Sequence, residues 1–158
     1  MLFTMSSPSL TVSVQRIVRA AASDVFVLIT DPARHSLMDA TGSIQEAITL
    51  EPLREVGQPF VHRIAVEWGD QVTVTDVEYK VSRFVPERSL EWSAPEHGPF
   101  SLGWRLRVDL DPLDELTTRV TMHFIWNDAA AAAAAEPLFS ADDLAACLDA
   151  IADAVEKA

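Results

Sequence analysis

The chain has 158 residues, 49% of them hydrophobic and 23% charged, the composition of one globular domain with a real core and not of a disordered segment. Twenty-four acidic side chains against twelve basic ones give a formal charge of -12, so phosphate backbones are repelled and nucleic acid is not an expected partner. The single cysteine, Cys147, rules out an internal disulfide. With no leader pattern in "MLFTMSSPSL" and no apolar run of spanning length, the expectation is a cytoplasmic protein without membrane insertion.

In chain order, residues 1–10 carry no pattern and are expected to be disordered, with one domain over 11–158. "TVSVQRIVRA" is β-branched and alternating, which predicts a first strand. In "ASDVFVLITDPARHSLMD" the period changes: Val25, Phe26 and Ile29 fall at helical spacing, Ser23 and Asp24 suit a helix start, and Asp31-Pro32 stops it. A second short helix over about 33–38 then ends near Thr41-Gly42. Strands follow in "SIQEAITL", "FVHRIAVEW", "QVTVTDVEYKVSRF" and "RSLEWS", the middle two joined through Gly69-Asp70, a dipeptide suited to a tight hairpin. In the fourth strand the apolar phase slips near Thr75-Asp76, from Val72 and Val74 to Val77, Tyr79 and Val81, which predicts a bulge.

"FSLGWRLRVDL", residues 100–110, alternates strictly and predicts a strand with one oily face; "DPLDE" turns it into "LTTRVTMHFIW". An alanine-rich run at 129–135 specifies no docking. In "SADDLAACLDAIADAVEK", Ser140 and Asp143 resemble a capping arrangement, and Leu144, Leu148, Ile151 and Val155 form one apolar stripe. The expected fold class is α+β: two short helices after the first strand, seven antiparallel strands in all, and a terminal helix over one face. One helix of roughly 10–12 Å diameter is narrower than such a sheet. Large side chains or a ligand must fill the remainder.

This order of elements, with the phrase Val25-Phe26 through Asp31-Pro32-Ala33-Arg34-His35 and the hairpin ending in Pro86 with Trp92 after it, resembles the START-like, Bet v 1-like (SRPBCC) superfamily of polyketide cyclase/dehydrase and lipid-transport type. The resemblance covers the chain from about Ser13 onward. It implies a helix-grip fold, a curved sheet wrapped around a long C-terminal helix with an internal pocket. It implies a structural hydrogen bond for His35. It implies no catalytic motif, because the superfamily shares none, so function has to be argued from the site.

Strand phase selects that site. The inward phases hold Phe60, His62, Ile64, Val66 and Trp68 on the third strand and Leu90 and Trp92 on the fifth. They hold Phe100, Leu102, Trp104, Leu106 and Val108 on the sixth, and Leu116, Thr118, Val120, Met122, Phe124 and Trp126 on the seventh. Candidate ligand contacts are His62, Ile64, Tyr79, Trp92, Trp104, Leu106, Met122, Phe124 and Trp126; for each aromatic the alternative is plain core packing. Trp68, beside a tight turn, reads as a strand-end plug.

His62 is the one ionisable group in its inward phase, and could bond a ligand, move a proton or be a core histidine. Asp39 reads as a turn residue that could reach the pocket edge, His97 as exposed and His123 as outward. Cys147 reads as an inert buried thiol. No ligand spacing, glycine-rich phosphate loop or G-x-S-x-G is present, so neither metal nor cofactor is expected. Arg63, Arg105, Arg107 and Arg119 fall outward, against the polar, cationic interiors of cyclase-like members.

The expected function is binding or transport of a hydrophobic, aromatic or lipid-like small molecule. A polyketide cyclase/aromatase-type enzyme using His62, Tyr79 or Asp39 is the alternative. A protein-interaction module is the further one. Oligomeric state is not legible.

Overall fold

A computed structural model describes residues 10–94, 103–126 and 140–156, apart from the side chains of Leu10, Val66 and Trp68. The elements are β1 (Leu10–Val18), α1 (Ala22–Ile29), a 3-10 turn (Pro32–Arg34), α2 (His35–Met38), β2 (Ile44–Ala47), β3 (Pro59–Trp68), β4 (Gln71–Val85), β5 (Ser89–Ser93), β6 (Trp104–Asp114), β7 (Thr117–Trp126) and α3 (Ala141–Glu156). All seven strands join one antiparallel sheet in the order β1-β7-β6-β5-β4-β3-β2, so the expected helix-grip architecture is the observed one. Strands β2 to β7 form a meander, and β1 closes on β7 in the one pairing distant in sequence.

Period-two alternation sets the layers. In β6 as far as Leu110 and throughout β7 every second residue is buried, Trp104, Leu106, Val108 and Leu110 opposite Trp126, Phe124, Met122 and Val120, while Arg105, Arg107 and Arg119 face outward. The helices cover the inner face. At the start of α3, Ser140 N–H donates to Asp143 Oδ2 at 3.0 Å and Asp143 N–H to Ser140 Oγ at 3.1 Å, a reciprocal cap that satisfies donors a helix start leaves free. Leu144, Cys147, Leu148, Ile151, Ala152 and Val155 form its buried stripe. Arg16 reaches from β1 to Asp149, and Arg19 N–H donates to Glu156 Oε1 at 2.8 Å. These ties hold α3 over the β1 side of the sheet.

Some local expectations are corrected. The first helix begins on Ala21 with no side-chain cap, and Ser23 and Asp24 lie inside its first turn, where Asp24 still suits the positive helix end. Strands β3 and β4 pair without interruption from Pro59–Lys80 to Trp68–Gln71, so no bulge sits at Thr75-Asp76. Val72 and Val74 are outward and exposed, and the irregularity lies later, between Val81 and Arg83. Leu116 belongs to the β6–β7 turn and is 74% exposed, not inward. Gly69 takes a φ of 59° in the two-residue β3–β4 turn, a conformation that glycine adopts without steric cost. The expected disordered start lies outside the described residues except at Leu10, already in β1. His97, Phe100, Leu102 and the alanine run also lie outside them, as does the side chain of Trp68.

Candidate functional site

Because α3 rests on β1 and against α1 and α2, the inward side chains of β3 to β6 are not all met by helix. A cavity of about 290 Å³ remains between them. His62, Ile64, Tyr79, Trp92, Trp104, Leu106 and Met122 line it, brought together from β3, β4, β5, β6 and β7 by the period-two rule. Phe124 and Trp126, selected by the same rule, are fully buried and absent from the lining. Strand β7 neighbours β1 on the side α3 covers, so these two rings pack edge-to-face on each other at 5.1 Å and, through Phe124, on Trp104 at 5.3 Å.

The rest of the wall comes from α2, the turn after it and α3: His35, Met38, Asp39, Thr41, Ser43, Ile44 and Cys147, with Ala65 and Glu67 from β3. Asp39 stands at the cavity edge, but its carboxylate is engaged in the turn. It accepts from Thr41 N–H at 3.0 Å, the Thr41 hydroxyl at 2.5 Å, the Ser43 hydroxyl at 3.3 Å and Ile44 N–H at 2.8 Å. An Asx-type turn of this kind is readable in "DATGSI". That it also shapes a ligand wall is not.

The polar centre of the lining is a pair of histidines. Helix α1 stops at Asp31-Pro32 and the chain doubles back, which puts His35 beneath the end of α1, where carbonyls lack helical partners. His35 Nε2 lies 2.7 Å from the Ile29 carbonyl, and its Nδ1 lies 3.1 Å from His62 Nε2. The His35 ring stacks on Trp92 at 5.0 Å and 16°. Burial lowers the His35 pKa to about 4 against the helping bond to Ile29. Burial and then the neighbouring His35 lower that of His62 to about 3, with Asp39 opposing. Both rings are therefore neutral at pH 7.

Neutrality and a carbonyl that only accepts fix the proton positions: His35 carries its proton on Nε2, its Nδ1 accepts, and His62 donates from Nε2. Burial, then Asp39, raises the Tyr79 phenol, which stays protonated. Burial likewise raises the Cys147 thiol against a backbone hydrogen bond at Ala40, as expected of an inert cysteine.

Neither the Tyr79 hydroxyl nor His62 Nδ1 has a hydrogen-bond partner among the described residues. The one sealed, unbonded side-chain nitrogen or oxygen there is Trp126 Nε1. The Tyr79 hydroxyl and His62 Nδ1 thus border open space, and that space is the cavity. No group of three His, Cys, Asp or Glu side chains converges as a metal site among the described residues.

No family model matches the chain. It is 30% identical over 114 residues, 72% of its length, to an uncharacterised protein of Mycobacterium tuberculosis strain H37Rv, and 29% identical over the same length to another of strain CDC 1551. The chain spans about half the length, 46%, of these curated relatives. Among solved structures it is similar to norcoclaurine synthase from Thalictrum flavum, in complex with dopamine and hydroxybenzaldehyde, with a TM-score of 0.64, 17% identity, and 96% of this chain and 89% of that one covered. The Zhui aromatase/cyclase from Streptomyces sp. R1128 is similar at a TM-score of 0.65 and 15% identity, with 95% of each chain covered. At these identities the likeness shows the fold alone: both structures share the helix-grip arrangement of an antiparallel sheet around a C-terminal helix. No helix among the described residues is long and apolar enough to cross a membrane.

Proposed function

We propose that residues 11–158 form one ligand-binding domain that holds a hydrophobic, flat aromatic molecule of one or two rings between the sheet and the helices. The observation that carries this is the cavity of about 290 Å³ lined by Trp92, Trp104, Tyr79, Ile64, Leu106 and Met122. It is about twice the roughly 150 Å³ apolar cavity known to accept benzene. Aromatic walls favour a planar guest through area and ring packing. The net charge of -12 supports a carrier or receptor of small molecules without nucleic acid as partner. The lone, buried, free thiol Cys147 supports a cytoplasmic location.

A cyclase-type enzyme is the second reading, supported by the fold shared with the Zhui aromatase/cyclase and by His62 and Tyr79 on the lining. A histidine whose pKa lies near 3 is a weak general base at neutral pH, which favours holding over proton transfer. Isothermal titration of the full chain with naphthalene tests the proposal. Saturable binding tighter than about 1 mM is expected. No saturable heat would overturn the reading.

A further inference from the structure

We infer that the cavity's occupant is an uncharged aromatic molecule that donates a hydrogen bond, through a phenolic O–H or an aryl N–H, to His62 Nδ1. The inference rests on the ligand-binding reading above and narrows it.

The Ile29 carbonyl forces the proton of His35 onto Nε2, and the resulting lone pair on His35 Nδ1 forces the proton of His62 onto its own Nε2, across contacts of 2.7 and 3.1 Å. What remains on His62 is an obligate acceptor, Nδ1, on the sheet side of the cavity, where the other side chains are apolar apart from the Tyr79 hydroxyl and the exposed Glu67. A ligand without a donor leaves that acceptor stripped of water and unpaired. A ligand with one satisfies it. The end of α1 therefore dictates, through two imidazoles, the polarity of a position on the opposite wall.

Charge narrows the class further. The described lining has the carboxylates Asp39 and Glu67 and no lysine or arginine, so an anionic ligand would meet repulsion and no counter-ion. A cation fares poorly as well. The four donors of the turn already occupy Asp39, and Glu67 is exposed to water, so an ammonium inside the cavity would lose its hydration for one screened carboxylate.

The test compares naphthalene, 2-naphthol, 2-methoxynaphthalene and 2-naphthoate by isothermal titration with the full chain. 2-Naphthol is expected to bind about tenfold or more tightly than its methyl ether, because one buried acceptor is paired in one case and orphaned in the other. 2-Naphthoate is expected to bind most weakly. His62→Phe should level naphthol and ether. Should that variant not fold, ¹⁵N-histidine NMR of the unaltered protein gives an independent reading: a non-protonated His62 Nδ1 resonance that moves upfield with 2-naphthol and stays with the ether. Equal affinity for naphthol and ether, or tightest binding of naphthoate, overturns the inference and leaves the pocket standing. No binding of any of the four overturns both.

Discussion

Two histidine networks lie on opposite faces and near opposite ends of one sheet, and differ in almost every respect. On the inner face, His35 and His62 are buried at 2% exposure each, pressed against Phe60, Tyr79 and Trp92, and neutral. On the outer face, Ser13 Oγ lies 2.6 Å from His123 Nδ1 and His123 Nε2 lies 3.1 Å from Asp109 Oδ2, and Asp109 in turn accepts from the partly exposed Arg107 and the buried Ser89 hydroxyl. Burial alone would raise the Asp109 pKa; bonds from Arg107 and Ser89 and the charges of Arg107 and His123 outweigh it, and the net shift is downward.

The outer set has the residue order of a nucleophilic triad, yet Ser13 and His123 face each other across the β1–β7 ladder and neither lines the cavity. The inner set borders the cavity, whose thiol, Cys147, is held protonated by burial. Identity of side chain decides little here, and access to water decides what each histidine can do.

The largest expected contrast is in packing. Phe124→Ala, at a fully buried inner position, should cost about 3–5 kcal/mol in urea denaturation. Arg119→Ala, which removes a solvent-exposed pair with Asp111, should cost no more than about 1 kcal/mol. Similar losses from the two would erase the distinction between the faces.

His35→Ala comes next. It strands the Ile29 carbonyl and the His62 Nε2 proton, at about 1–3 kcal/mol for each group left unpaired. Ser13→Ala on the outer network should stay within about 0.5 kcal/mol, as for most surface changes.

Acid separates the networks by window. The inner histidines have folded pKa values of about 4 and about 3 against 6.5 ordinarily, so below pH 6.5 the unfolded chain takes up protons that the folded chain refuses. Stability should fall from pH 6.5 downward, by up to about 1.4 kcal/mol per pH unit per histidine. Asp109, with its pKa lowered from 3.8, adds its loss only as pH falls into that lower range. A stability curve flat from pH 6.5 to 4.5 would mean the inner histidines are not buried neutral; His62→Phe should make the curve shallower.

The smallest effect is the most pointed. Leu106→Trp would overpack a filled core at about 1–3 kcal/mol, whereas over an open cavity it should change stability by less than about 1 kcal/mol while blocking naphthalene.

Much of this was legible because period-two alternation is local: β6 and β7 declare their inner faces, and the same count on β3 to β5 selects residues that reach the cavity. Ser140 and Asp143 likewise form a cap visible at a spacing of three. Apolarity misleads where it is equated with burial, as at Val72, Val74 and Leu116, because a sheet's outer face tolerates isolated valine and leucine. Whether an inward ring meets a cavity or a helix depends on where α3 crosses the sheet, a nonlocal fact that separates Phe124 and Trp126 from Trp104. The His35–His62 contact joins residues 27 apart through a short helix and a long turn, and no spacing rule announces it.

The most direct test is a crystal structure of the protein soaked in 2-naphthol. An ordered two-ring density beside Trp104, its hydroxyl on His62 Nδ1, is the expected result. A cavity closed by side chains in the crystal, with no ring density, would contradict the ligand site.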